Sequence, residues 1–229
     1  MLEIRDFFRR EEPVVRRSIS LAALLVVALF AASSLLAKTA RPKARARETP
    51  AATEGRNSFG SKSAPITIEV FSDFQCPACR TLYLGVWRQL FDNYVNTGKV
   101  HLIHRDMPLP VHAHSRVAAR YACAAARLGK FEVVEHALFE KQDSWAASGD
   151  VDGTVASVLT PAEMTKVRAL VKGGTLEAEI DRDSALGQTN RVNQTPTSII
   201  TSKGQTFPIV GVVSYPVLKQ FLDQLLASR

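Results

Sequence analysis

The spacing of apolar residues along the chain predicts an α/β domain in which a block of helices interrupts a sheet. Residues 66–72 form a short β-branched and aromatic run that is typical of a strand. The predicted elements are, in chain order, strand 66–72, helix 76–94, strand 100–103, helices at about 112–128, 131–142, from 160 onward and 176–191, strands 197–201 and 206–210, and helix 214–227. The predicted order is therefore β-α-β, several helices, and β-β-α.

A different kind of segment precedes this domain. Residues 18–37 are twenty residues without a charge, and a helix of that length spans roughly 30 Å, the thickness of the hydrocarbon core of a bilayer. We expect a single-pass signal anchor, preceded by a stretch of basic and acidic residues at 1–17. Two alternatives stay open. One is a signal peptide cleaved near Ala32 and Ser34, which lie at a spacing that signal peptidase accepts, and the other is a buried helix of a soluble domain.

The charge distribution separates this segment from the domain. The chain has 46% hydrophobic and 22% charged residues, which excludes a wholly disordered protein. Most of the net charge of +7 lies in residues 1–50, which hold 10 Lys and Arg against 5 Asp and Glu. Because the remainder is nearly neutral, the basic total does not indicate binding to nucleic acid. Residues 38–63 predict a flexible basic linker to the domain at 64–229.

The candidate chemistry lies where the first strand meets the first helix, in the Cys-Pro-Ala-Cys motif of residues 76–79. The i,i+3 spacing brings both sulfur atoms to one face of a helix, close enough for a disulfide. Free backbone amides and the positive end of the helix dipole favour a thiolate at Cys76. We therefore expect Cys76 to be the exposed nucleophile and Cys79 the more buried resolving thiol.

Two other uses of the motif have to be weighed against redox chemistry. A structural disulfide would need no residues besides the two cysteines, whereas a zinc site needs a second pair of ligands. The residues available as such ligands are Cys123, His101, His104, His112 and His114. A Cys-x-x-Cys pair that follows a strand and opens a helix favours thiol–disulfide chemistry, which requires no dissociable cofactor and no metal.

Three stretches of the sequence resemble a known family. They are residues 70–80 (VFSDFQCPACR), residues 104–139, which begin HRDMPLP, and residues 194–197 (QTPT). Together they are similar to the DsbA-like thiol–disulfide oxidoreductases of the thioredoxin superfamily, especially the membrane-anchored bacterial group. The resemblance covers about residues 60–229. It implies a thioredoxin fold with an inserted helical subdomain at about 110–192.

The resemblance also implies further site residues. Thr195 and Pro196 would form the cis-proline loop of the family beside Cys76, where the backbone of Thr195 would pair with an extended substrate. The local pattern alone is equally typical of a trans-proline that begins a strand. Glu69 would be the buried acid that relays a proton for the resolving thiol, and a solvent-facing position on the strand is the alternative.

The sequence departs from the family at Ala78, where the strongest oxidants have histidine. We expect Cys76 to be less acidic in consequence and the disulfide less oxidising, and a thiol pKa near 3.5 would contradict this. Relatives often pair a cysteine at the place of Cys123 with another in a later helix, but this chain has none there. Cys123 is therefore predicted to be an inert, buried small hydrophobe. His112 and His114 are predicted to be structural or on the surface.

These observations predict a membrane-tethered thiol–disulfide oxidoreductase that exchanges disulfides with cysteine-containing client proteins, acting as an oxidase. The resemblance implies that a quinone-linked membrane partner reoxidises it. Because disulfides persist outside the cytoplasm, we expect the catalytic domain in the periplasm or another extracytoplasmic space. The alternatives are a reductase or isomerase with the same fold, and a non-catalytic thioredoxin-like module that binds a metal or a protein.

Overall fold

A computed structural model describes residues 57–228. The predicted segments at 1–17 and 18–37 lie outside the described residues, as does most of the predicted linker. The strands are β1 (Ser58–Phe59), β2 (Ile66–Ser72), β3 (Val100–Asp106), β4 (Thr197–Ser202) and β5 (Gln205–Val210). The α-helices are α1 (Pro77–Leu90), α2 (Ser115–Ala126), α3 (Phe131–Glu140), α4 (Gln142–Ser148), α5 (Val151–Ala156), α6 (Pro161–Lys172), α7 (Glu177–Thr189) and α8 (Tyr215–Ala227), and a π-helical turn, Phe91–Val95, continues α1. Within residues 57–228, no helix is long and apolar enough to cross a membrane.

The five strands form one mixed sheet in the order β1-β3-β2-β4-β5. The strand that carries the chain into the cysteine motif, β2, lies at its centre, parallel to β3 and antiparallel to β4. A strand with neighbours on both sides has its backbone groups paired throughout, which gives the motif a rigid support.

The two faces of β2 carry different residues, because successive side chains of a strand point in opposite directions. Ile68 and Val70 are buried in the main core, together with residues of α1 such as Leu82. Phe71 instead belongs to a smaller cluster on the other face, where Leu186 of α7 packs against it. The helix that begins with the cysteine motif and the helix that precedes β4 thus cover opposite faces of the sheet.

The helical block between β3 and β4 confirms the predicted insertion but is divided more finely than the pattern predicted. The helix predicted at 131–142 ends at Glu140, and α4 begins at Gln142. Gly149 ends α4 with a left-handed backbone (φ 79°), a conformation that glycine adopts at little cost. The helix predicted from 160 onward is α6, and Thr160 caps its N-terminus, since the Thr160 hydroxyl accepts a hydrogen bond from the Glu163 amide.

The sheet is also larger at one edge than predicted. Ser58 and Phe59, which fall in the predicted linker, form β1 and pair with Ile103 and Leu102 of β3. The folded domain therefore begins before residue 64. The strand predicted at 100–103 is three residues longer in the structure, so that β3 ends at Asp106.

Candidate active site

The cysteine motif lies at the N-terminus of α1, as the sequence predicts. Cys76 is the N-cap residue with an extended backbone, and Pro77 occupies the first helical position. The Cys76 carbonyl accepts the first bond of the helix from the Arg80 amide at 3.2 Å. Proline suits this position because its missing N–H would have no partner within the helix.

Both sulfur atoms are largely covered. The exposed fraction is 7% for Cys76 and 2% for Cys79, so Cys79 is the more buried thiol, as predicted, but Cys76 is not the exposed residue that we expected. One group that covers it is the backbone oxygen of Thr195, which lies 3.5 Å from Cys76 Sγ.

The two thiols have opposite electrostatic environments. The pKa of Cys76 is lowered to about 5. The hydrogen bond from the Cys79 thiol contributes most, the Thr195 side chain and the amides of Cys79 and Ala78 contribute the rest, and together they outweigh the opposing effect of burial. Burial, reinforced by the hydrogen bond and charge of Cys76, raises the pKa of Cys79 above its ordinary value. At neutral pH the reduced pair therefore consists of a Cys76 thiolate and a Cys79 thiol.

The structure brings the predicted proline loop to this pair. The Thr195–Pro196 peptide bond is cis, as the family resemblance implied. The Pro196 carbonyl accepts a hydrogen bond from the Gly211 amide at 2.8 Å, which joins the loop to the end of β5. Thr195 is buried beside Cys76, so four of the five predicted site residues lie together.

Glu69 is the exception. It lies on the face of β2 opposite Ile68 and Val70, and its carboxylate accepts two hydrogen bonds from Arg105 at 2.6 and 2.8 Å. Arg105 in turn contacts Asp183 of α7 at 3.2 Å. This placement corrects the expectation of a buried acid that serves the resolving thiol, because the side chains of the strand alternate and Glu69 belongs to the face covered by α7.

Residues 73–76, between β2 and α1, form a short loop that we call the cysteine loop. Two polar residues that the sequence analysis missed contact this loop or the cysteine motif. The Asp73 amide donates a hydrogen bond to Cys79 Sγ at 3.4 Å. Gln142, at the start of α4, is buried, and its Nε2 donates to the carbonyl oxygens of Phe74 at 2.7 Å and Cys76 at 3.0 Å. A polar residue between a strand and a Cys-x-x-Cys motif is a signal that could have singled out Asp73, whereas the sequence around Gln142 offers none.

Three of the other candidate ligands, Cys123, His104 and His112, have partners of their own. Cys123 is buried, as predicted, and its thiol donates to Asp106 Oδ2 at 3.1 Å. Burial and the Asp106 carboxylate raise the pKa of Cys123 well above its ordinary value, so it stays a thiol. His104 Nδ1 lies 2.9 Å from a Glu135 oxygen and His112 Nδ1 lies 2.8 Å from an Asp73 oxygen. Within residues 57–228, no three side chains of the ligating types are arranged to hold a metal.

The sequence family described as Thioredoxin matches residues 52–208, a stretch that includes the cysteine motif and the cis-proline loop. The chain belongs to the thioredoxin family. Disulfide bond formation protein D of Bacillus subtilis is 22% identical over 185 residues, which cover 77% of this chain and 79% of that protein.

Solved structures share the fold. BdbD from Bacillus subtilis, in its oxidised form, superimposes with a TM-score of 0.63 at 23% identity, covering 75% of this chain and 93% of that one. A thioredoxin-like oxidoreductase from Silicibacter pomeroyi superimposes with a TM-score of 0.61 at 25% identity, covering 75% and 92%. The resemblance to the DsbA-like proteins is thereby confirmed, and this thioredoxin-family protein is a thiol–disulfide oxidoreductase.

The acidity of Cys76 gives a first prediction. Because the Cys79 thiol is the main group that lowers the pKa of Cys76, replacing Cys79 with alanine should move the titration midpoint from about 5 toward roughly 8.5, the value of a free thiol. The ultraviolet absorbance of the thiolate, followed against pH in the reduced protein, measures the midpoint. A Cys123→Ala control should leave it in place, and an unchanged midpoint in Cys79→Ala would contradict the assignment.

Proposed function

We propose that the chain is a membrane-tethered extracytoplasmic oxidase that transfers the Cys76–Cys79 disulfide to cysteine-containing client proteins. The observation that carries the proposal is the division of acidity within the pair: the pKa of Cys76 is lowered to about 5, whereas that of Cys79 is raised. A stabilised Cys76 thiolate favours the reduced form of the enzyme, and a stable reduced form makes the disulfide oxidising.

The reaction begins with the oxidised enzyme. A client thiolate attacks Cys76 Sγ, the disulfide breaks, and its electron pair goes to Cys79 Sγ, which takes up a proton because its pKa is raised. A second client thiolate then attacks the client sulfur of this mixed disulfide, and Cys76 leaves as a thiolate. The client loses two electrons and forms its disulfide, and the enzyme holds those electrons as one thiol and one thiolate.

The loop at Thr195 supports client proteins as the substrates. Its backbone oxygen lies 3.5 Å from Cys76 Sγ, so an extended client segment with its cysteine at Cys76 would run beside the backbone of this loop. Backbone pairing of that kind is independent of sequence and suits an enzyme with many clients.

The oxidised enzyme has to be regenerated. We assign this step to a quinone-linked membrane partner that accepts both electrons from the dithiol through a disulfide of its own. The uncharged segment at 18–37 supports a tether in the same membrane. A reporter enzyme that works only outside the cytoplasm should be active when it is fused after Arg229, whereas a reporter that works only in the cytoplasm should be inactive there. The opposite pair of results would overturn the proposed location.

The trapping of a mixed disulfide tests the chemistry. A reduced Cys79→Ser protein incubated with a peptide disulfide should retain the peptide on Cys76, because the thiol that would release it is absent. A Cys123→Ser protein is the matched control and should retain none. If Cys79→Ser forms no adduct while the wild-type protein binds zinc or copper stoichiometrically, the chain is a metal-binding module instead.

A further inference from the structure

The Asp73 carboxylate is the most heavily hydrogen-bonded side chain in the loop between β2 and α1. It is buried, and four donors surround it. Oδ1 accepts from the Gln75 amide at 2.8 Å and the Ser115 hydroxyl at 2.5 Å, and Oδ2 lies 2.7 Å from the Leu109 amide and 2.8 Å from His112 Nδ1. The last three partners belong to the β3–α2 loop and to α2, so the carboxylate joins the cysteine loop to the start of the inserted subdomain.

The backbone of the same residue contacts both cysteines. Its N–H donates to Cys79 Sγ at 3.4 Å, and its carbonyl accepts from the Cys76 amide at 3.1 Å. The sulfur of a thiol accepts such a hydrogen bond only weakly, and a sulfur shared in a disulfide accepts it more weakly still, so the Asp73 amide stabilises Cys79 more in the dithiol than in the disulfide. The orientation of the Asp73 amide therefore affects the redox equilibrium between the dithiol and the disulfide.

We propose that Asp73 is a positioning residue for the redox pair: its anchored carboxylate holds its own amide on Cys79 Sγ and thereby stabilises the reduced enzyme. The inference rests on the proposed function, in which Cys76 and Cys79 exchange disulfides. His112 and Ser115 act through Asp73, since each donates to one of its oxygens. The inserted subdomain thus contributes to the redox potential through hydrogen bonds rather than through a group that touches the sulfur atoms.

The test is the redox equilibrium of the full chain with glutathione, measured for wild type and Asp73→Asn. In the variant an NH2 group replaces one carboxylate oxygen. At either position it faces a backbone N–H, of Gln75 or of Leu109, from which it cannot accept a hydrogen bond, so the anchor of the loop is weakened. We expect the equilibrium to shift toward the disulfide by about three- to tenfold, and tenfold corresponds to about 30 mV. His112→Ala and Ser115→Ala each remove one donor and should shift it in the same direction by less.

A matched control separates positioning from loss of stability. Asp152 also accepts several hydrogen bonds, from Tyr121 and Arg168, but it lies in α5 of the insertion. Asp152→Asn should destabilise the fold and leave the glutathione equilibrium unchanged. If Asp73→Asn is destabilised with an unchanged equilibrium, its role is structural only and the inference is wrong.

The remaining outcomes are also decisive. A shift toward the dithiol in Asp73→Asn would mean that the buried charge, and not the anchored amide, governs the pair, which overturns the inference. If Asp73→Asn does not fold, His112→Ala decides, and an equilibrium identical to wild type then rejects the proposal. A wild-type protein that does not exchange with glutathione at all would instead reject the proposed function, so the two failures are distinguishable.

Discussion

Replacing Cys76 with serine is expected to abolish disulfide exchange, lowering its rate roughly 10³-fold or more, as removal of a nucleophile does in other enzymes. A hydroxyl at this position is not ionised at neutral pH and forms no bond equivalent to the disulfide. The wild-type thiol, by contrast, has a pKa lowered to about 5 by the Cys79 thiol and its other hydrogen bonds. Oxidation of a dithiol peptide, followed by the release of free thiol, measures the loss.

The other cysteine supplies the control for this result. Cys123 is buried at 1% exposure and bonded to Asp106, so Cys123→Ser should retain the wild-type rate of exchange. Substantial exchange in Cys76→Ser would mean that another thiol is the nucleophile and would contradict the assignment of the site. Loss of exchange in Cys123→Ser with an intact fold would contradict the spectator role of that residue.

The cysteine pair was predictable because its environment is local. The strand, the proline at the first helical position and the spacing of the two cysteines all lie within fourteen residues, from Ile66 to Cys79. The partners of the loop are distant: His112 reaches Asp73 across 39 positions, and Gln142 reaches Phe74 across 68. No local pattern encodes such contacts, since they exist only once the insertion has packed onto the sheet.

The difference between local and distant contacts also explains where the predicted fold was wrong. A β-branched and aromatic run predicted β2, and the family resemblance implied that Glu69 serves the resolving thiol. Which face of β2 meets the active site depends on the helix that covers it, and Glu69 lies with Arg105 on the face covered by α7. In the helical block, apolar periodicity located α3, whereas the short helices α4 and α5 were missed. They hold seven and six residues, too few for a periodic pattern to stand out.

The structure also contains a buried ionic cluster that the pattern of apolar residues did not predict. His104 of β3 lies 2.9 Å from Glu135 of α3 and 3.4 Å from Asp106, and all three are at most 2% exposed. Phe74, in the cysteine loop, stacks on the His104 ring with 5.0 Å between the ring centres. Burial by itself would lower the pKa of His104, but the two carboxylates raise it to about 10, so the imidazole is charged in the folded protein at neutral pH.

Replacing Glu135 with leucine is therefore expected to be strongly destabilising. Asp106 still faces the charged imidazole in this variant, but His104 Nδ1 loses its buried acceptor, and a buried donor without a partner costs about 1–3 kcal/mol of unfolding free energy, and more when the group is charged. Chemical denaturation at neutral pH measures this loss. Glu132→Leu is the matched control, because Glu132 is an exposed residue on the same helix and its replacement should change stability by roughly 0.5 kcal/mol or less.

The pH dependence of stability distinguishes the ionic cluster from simple packing. The folded protein holds a proton on His104 up to a pKa of about 10, whereas the unfolded chain releases it near 6.5. The stabilisation from this proton is therefore complete below about pH 6.5 and is lost as the pH rises toward 10. With only Asp106 left beside His104, Glu135→Leu should show a smaller decline over the same range. An equal decline in wild type and variant would mean that Glu135 does not hold the proton on His104, and that its replacement acts through packing alone.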